Sequence, residues 1–192
     1  MQLAQKLAAG FTKMVEFRVT DTYLPSVGET NQTGGSITRL VSPSTIRPVR
    51  VWLLACPNTA LSSSTPIAGG TIRLATYVGQ FTNANLLVNN SRYYNNDLAT
   101  AGDFYNILKE QFPENQGLVT YSDFLTTYRL HCFDVTRLKD RLKNPNEACS
   151  LQINATRVDS AACDYYFVVE RLQRCSLHMS SAESSVVVGM TQ

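Results

Sequence analysis

Charge is scarce in this chain. Only 17% of its 192 residues are Asp, Glu, Lys or Arg, against 44% hydrophobic. That is less charge than a typical soluble domain carries, and it suits a protein partly covered by neighbours. The 17 basic and 15 acidic residues leave a net charge of +2 and form no basic run. Tight binding to a phosphate backbone needs clustered cations that displace counterions, so strong direct binding of nucleic acid is not expected. Long apolar runs are also missing. None approaches the ~20 residues of a membrane-crossing helix, so no membrane span is expected. The opening "MQLAQKLAAGFTKMVEF" lacks the apolar core of a secretory signal.

Closely spaced ligand and nucleophile motifs are missing too. The five cysteines, Cys56, Cys132, Cys149, Cys163 and Cys175, lie far apart and make no CxxC pair. An odd, dispersed set reads as buried free thiols, which suits a reducing cytosol or nucleus. There are two histidines, His131 and His178. Cys175 and His178 are three apart, which on a strand puts them on opposite faces, so no metal site is expected. "GGTIRL" and "TGGS" lack the lysine and spacing of a phosphate-binding loop, and no G-x-S-x-G elbow occurs. The expectation is therefore no catalytic residue, no cofactor and no metal.

One stretch looks chemical. In "YSDFLTTYRLHCFDVTRL", residues 121–138, His131 and Cys132 are adjacent and Asp134 follows. Neighbouring side chains on a strand point to opposite faces, so His131 cannot serve Cys132 as its base. Cys132 and Asp134 share a face, but a carboxylate beside a thiol raises its pKa, the wrong direction for a nucleophile.

What is present is alternation. Met14, Glu16, Arg18 and Thr20 fall on one side of a strand, and Val15, Phe17 and Val19 fall on the other. In "IRPVRVWLLACP", Val49, Val51, Leu53 and Ala55 share a face opposite Arg50 and Trp52, and Pro48 marks a strand start or an edge. "TIRLATYVGQF" and "NANLLVNNSRYYNND" read as two strands with a turn at Thr82 and Asn83, and the Asn-rich tail of the second suits turns. "TAGDFYNILKEQF" reads as a helix, with Thr100 capping, Asp103 closing a capping box and Phe104, Ile107 and Leu108 as its apolar stripe. "YSDFLTTY" reads as a helical turn capped by Ser122. "CSLQINATRV", "CDYYFVVERLQRCSLHMS" (bending or turning near Gln173) and "SSVVVGM" complete eight or nine strands. No linker or repeat divides the chain. The pattern predicts one all-β domain over 1–192, a sandwich or barrel, with residues 1–12 as an N-terminal arm or short helix.

The run "ANLLVNNSRYYNNDLATAGDFYNILKEQF", then "GLVTYSDFLTTYRLHCFDVTRL", then "SLQINATRVDSAACDYYFVVERL" resembles the C-terminal jelly roll of double-jelly-roll major capsid proteins. That is the group of polinton-like viruses, adintoviruses and virophages. Phe133, Asp134, Val135, Thr136 and Arg137 match that group's strand end, with Val in place of Leu. The resemblance spans about residues 13 to 190 and implies an eight-stranded antiparallel jelly-roll sandwich with one inserted helix. It implies a structural protein of the virion, built in host cytoplasm or nucleus. The partners it implies are copies of itself, as a trimer or pentamer, and other capsid proteins. Such chains are usually more than twice this long, so this is a fragment of one or a self-standing single jelly roll.

The segments least explained by a private core are 28–36, 61–70, 89–97 and 139–147, and these are the contact candidates. Two other readings remain open. One is a carbohydrate- or receptor-binding sandwich, with Trp52, Tyr93 and Tyr94 as stacking groups. The other is a cysteine-dependent hydrolase, using Cys132 or Cys56 with a distant histidine such as His178.

Overall fold

Strand β7 (Cys149–Arg157) shows how the pattern becomes structure. Its odd-numbered side chains are buried and its even-numbered ones half-exposed along its whole length, so Cys149, Leu151, Ile153 and Ala155 enter a core while Ser150, Gln152 and Asn154 face outward. The computed structural model describes residues 11–25, 32–57, 79–112, 119–140, 147–160, 162–179 and 186–191. The other strands are β1 (Phe11–Tyr23), β2 (Gly35–Thr45), β3 (Pro48–Pro57), β4 (Phe81–Val88), β5 (Ser91–Arg92), β6 (His131–Asp134), β8 (Cys163–Met179) and β9 (Val186–Thr191). Two helices, α1 (Ala101–Gln111) and α2 (Tyr121–Thr126), and a 3-10 turn, Thr136–Asp140, lie among them.

The strands form two sheets, ordered β1-β8-β3-β6, with β9 also pairing β8, and β2-β7-β4-β5. The pairs β4–β5, β3–β6, β2–β7 and β1–β8 are all antiparallel. They are the nested rungs of one long hairpin, rolled so that β8 also meets β3 and β7 also meets β4. That strand order is a jelly roll. The hairpin's tip is Asn89–Asn90, where both residues take positive φ, 50° and 65°. A two-residue turn matching strand twist needs that left-handed backbone, and Asn tolerates it.

The core lies between the sheets. Val51, Leu53, Ala55, Phe133, Tyr165, Phe167 and Val169 meet Val41, Phe81, Leu86, Leu151 and Ile153. Helix α1 begins at Thr100, whose hydroxyl accepts from the Asp103 amide while the Asp103 carboxylate accepts from the Thr100 amide, the predicted capping box. Its Phe104 is fully buried, 5.9 Å from Phe133. Ile107, predicted as part of the same stripe, is only half-buried. The helix lies along β6, which among the described residues has β3 alone as its ladder neighbour, and so covers a sheet edge open to stray pairing.

Three expectations need correction. The turn placed at Thr82 and Asn83 is a bulge inside β4: the register slips between Thr82 and Asn85, and Asn83 takes φ 49°. Helix α2 is capped by Thr120, not Ser122, because Thr120 and Asp123 form a second capping box and Ser122 already lies in the first turn. Strand β8 neither turns nor ends at Gln173. It runs on, and only its neighbour on one side changes, from β3 up to Arg171 to β9 from Arg174. The face of Arg50 and Trp52 is covered as well, with Arg50 only 5% exposed. The predicted strand at 71–78, the arm before β1, and the segments 61–70, 28–31 and 141–146 lie outside the described residues. Among the described residues no helix is long and apolar enough to cross a membrane.

Candidate functional site

His131 and Cys132 are both buried, and the strand splits them as parity requires. His131 points into the core. Phe81 of β4, Phe104 of α1 and Phe124 of α2 surround its ring at 4.8, 4.6 and 6.2 Å. Burial, with the nearby Arg129 charge adding, pushes its pKa down to about 3, so it stays neutral. Its Nδ1 has no hydrogen-bond partner among the described residues.

Cys132 lies on the outer face, opposite Trp52 in the ladder. Burial drives its thiol far above the ordinary range; the Arg50 charge works against this, and Glu170 and Asp134 reinforce it. Cys56 is pushed up to about 11, again chiefly by burial. All five cysteines are free and buried. Cys56 pairs with Asp164 of β8, while His178 lies fourteen positions further along that strand, roughly 45 Å away at 3.3 Å per residue. The distant dyad of Cys56 and His178 therefore has no geometry. Among the described residues no three His, Cys, Asp or Glu side chains gather as a metal set.

The outer face of β3 is instead a clamp. Glu170 of β8 accepts from the Trp52 indole at 2.7 Å and from Arg50 at 3.1 Å. Arg50 also donates to the Gln111 side chain at 2.8 Å and to the Gln111 carbonyl at 3.2 Å, and lies 4.4 Å over the Phe112 ring. A helix end leaves its last carbonyls without partners, and Arg50 satisfies one of them. Phe112 packs 6.0 Å from Trp52. The side chain proposed for sugar stacking is thus occupied in fastening α1 to the sheet. Tyr93 and Tyr94 are occupied as well: they pack edge to face at 5.1 Å, and Tyr94 donates to the Asp134 carbonyl at 3.0 Å. The contact candidate 89–97 is held internally, by an Arg92–Asp97 ion pair and an Asn85–Asp97 hydrogen bond of 2.8 Å.

A second cluster escaped the sequence reading. Arg157 ends β7 with its side chain wholly buried. It pairs with Asp159, donates to the Gln32 carbonyl at 2.6 Å and reaches the Cys163 sulfur at 3.3 Å. Asp159 also accepts from the Gln80 amide at 2.6 Å. Three loops are stitched there. The signal was present: Arg157 continues the inward series Leu151, Ile153, Ala155, and an inward cation demands a partner.

The third feature is only partly covered, with Cys175 buried, Val15 and Val19 half-buried and Phe17 exposed. The core cluster ends at Val169, yet β8 continues for ten residues, paired with β1 along 11–20 and, from Arg174, with β9. On the core-side face of this extension Val15 lies opposite Cys175 and Phe17 opposite Gln173, with Val19 next in the row. Among the described side chains, β1 adds none to the buried core cluster, and only Tyr23, at its far end, packs against it. Phe17 is 39% exposed, and Met14, on the other face, is 55% exposed. The ladder continues with Cys175 opposite Met190 and Leu177 opposite Val188. Apolar positions thus fill most of a face that reaches past the second sheet.

No protein-family model matches the sequence, and neither does any curated protein. Similar solved structures include the following two. One is a chain of the Sputnik virophage structure determined by cryo-electron microscopy, with 14% identity, TM-score 0.49, covering 94% of this chain and 38% of that one. The other is mavirus major capsid protein, with 12% identity, TM-score 0.44, covering 95% of this chain and 41% of that one. This chain spans about two-fifths of their length. What it has in its own right is the fold, an antiparallel jelly roll established by its strand order.

Proposed function

We propose that this chain is a structural subunit of a viral capsid, resident in the virion, which assembles through contacts between copies and catalyses nothing. A jelly roll alone does not carry that reading, because one fold hosts many functions. The observation that carries it is the β1–β8–β9 extension. It lifts an apolar row, Val15, Phe17 and Val19, beyond the sheet that would cover it in a self-contained sandwich. Val15 and Val19 are half-buried and Phe17 is exposed there, and apolar surface left open on a sheet marks an interaction face. The clamp of Arg50, Trp52 and Glu170 supports the same reading, since it stiffens a wall without offering a reactive group. The low charge content fits a surface that neighbours cover. The whole of 1–192 then acts as one building block.

The test is the mass of the purified chain against concentration, by light scattering, for wild type and Phe17→Asp. The reading expects closed oligomers whose dissociation midpoint rises at least about tenfold in the variant, as for an anchor truncated at an interface. Circular dichroism should stay unchanged. A wild-type chain that remains monomeric throughout would overturn it.

A further inference from the structure

Edge strands invite pairing with other chains, and proteins blunt them with short length, bulges, proline or cover. Of the strands that end the two sheet orders, β6 lies under α1, β5 has two residues, and β2 carries two register shifts and Pro43. β9, beside β8 and off those orders, has six residues. β1 is different. Its thirteen residues pair with β8 in unbroken register, with no proline and no bulge. An antiparallel strand turns the N–H and C=O of successive residues to opposite sides, so half of these groups point away from β8. Among the described residues no other strand takes them.

The sequence along that edge is complementary to its own reverse. "FTKMVEFRVTDTY" has its middle at Phe17, and counting outward from there sets Glu16 against Arg18, Val15 against Val19 and Lys13 against Asp21. Residues directly opposite share a face, so Glu16 meets Arg18 on the outer face and Lys13 meets Asp21 on the core-side face. Every charge in the strand thus falls opposite its counter-charge. Moving the centre to Glu16 or to Arg18 sets like charge against like, so the pattern selects one register. Arg18 is exposed. The two ion pairs of Glu16, with Arg47 at 2.6 Å and Arg174 at 3.0 Å, both use Oε1, which leaves Oε2 for a cation from outside the chain.

We propose that β1 is the pairing edge for a second copy of this chain, the two β1 strands running antiparallel about a two-fold axis at Phe17. This rests on the assembly reading above and names one of its contacts. The pairing joins two sheets into one and satisfies the open backbone groups. It also brings the two Phe17 side chains, each 39% exposed, together on the axis. Such a contact uses the same patch on both copies and closes on itself.

Disulfide trapping in the full chain tests it, with thiols introduced at two exposed positions of the outer face, 14 and 20. In the proposed register Met14 lies opposite Thr20 of the second copy, with Cα atoms about 4.5–5.5 Å apart, within bridging reach. Each position lies about 20 Å from its own counterpart, at roughly 3.3 Å per residue. Met14→Cys combined with Thr20→Cys should therefore give a covalent dimer under mild oxidation, and neither single variant should. The five native cysteines are buried, so the wild type should stay unlinked. Arg18→Glu sets a carboxylate against Glu16 of the second copy at two symmetric places. It should weaken association of the unlinked chain at least about tenfold by light scattering. A wild type that associates while the double variant stays unlinked, single variants that link as readily, or unchanged association of Arg18→Glu would overturn the edge pairing and leave the assembly reading standing. A wild type that is monomeric at every concentration overturns both.

Discussion

Acid should loosen this fold through His131 before it acts through most carboxylates. The imidazole is fully buried among Phe81, Phe104 and Phe124, where a proton would bring an unsolvated charge. The charged groups acting on it are Arg129, which disfavours the proton, and Asp159, which weakly favours it. Its folded pKa is depressed to about 3 from an unfolded 6.5. The unfolded chain therefore binds the proton first, and stability that is complete above the unfolded value is lost as pH falls toward the folded one. Between about pH 6.5 and pH 4.5 this single group should remove roughly 2 kcal/mol, a large share of a domain stability of about 5–15 kcal/mol. Urea unfolding at a series of pH values measures it. His131→Leu, close in volume, should cost less than about 1.5 kcal/mol at neutral pH and should flatten the slope over that interval. An equal slope in wild type and His131→Leu would refute the reasoning, because the acid sensitivity would then belong to other groups.

Phe104→Ala should cost about 3–5 kcal/mol in the same unfolding experiment, combining lost burial with a cavity beside His131 and Phe133. It should also raise hydrogen exchange along β6 as α1 lifts from that edge, whereas the half-buried Ile107 changed to Asp should cost clearly less. Cys132→Ser should lower stability by about 1–3 kcal/mol through a poorly matched buried hydroxyl, and an iodoacetamide-sensitive hydrolase lost with that change would contradict a structural role for the thiol. Labelled single- and double-stranded DNA should bind weakly and with little salt dependence. A steep loss of affinity with salt would expose clustered cations.

Much of the fold was legible because its signals are local. The alternation of Val49 to Ala55, the Thr100–Asp103 capping box and the paired asparagines at 89 and 90 each specify geometry within a few residues. The opposite faces of His131 and Cys132 followed from parity alone. What escaped needed information from elsewhere in the chain. Asn83 reads as a turn, and only the register with β7 makes it a bulge. What covers Arg50 and Trp52 was also out of reach, because nothing nearby says that Gln111 and Phe112, some sixty residues on, will pack over them. Phe17 reads as a core residue, but a strand cannot reveal where the facing sheet stops.

The most direct measurement of the central claim is light scattering coupled to electron microscopy of the purified chain, wild type beside Phe17→Asp. The account predicts discrete rings, trimers or shells from wild type, and a folded species of lower mass from the variant. A wild-type chain that stays a folded monomer at every concentration, indistinguishable from Phe17→Asp, would contradict it.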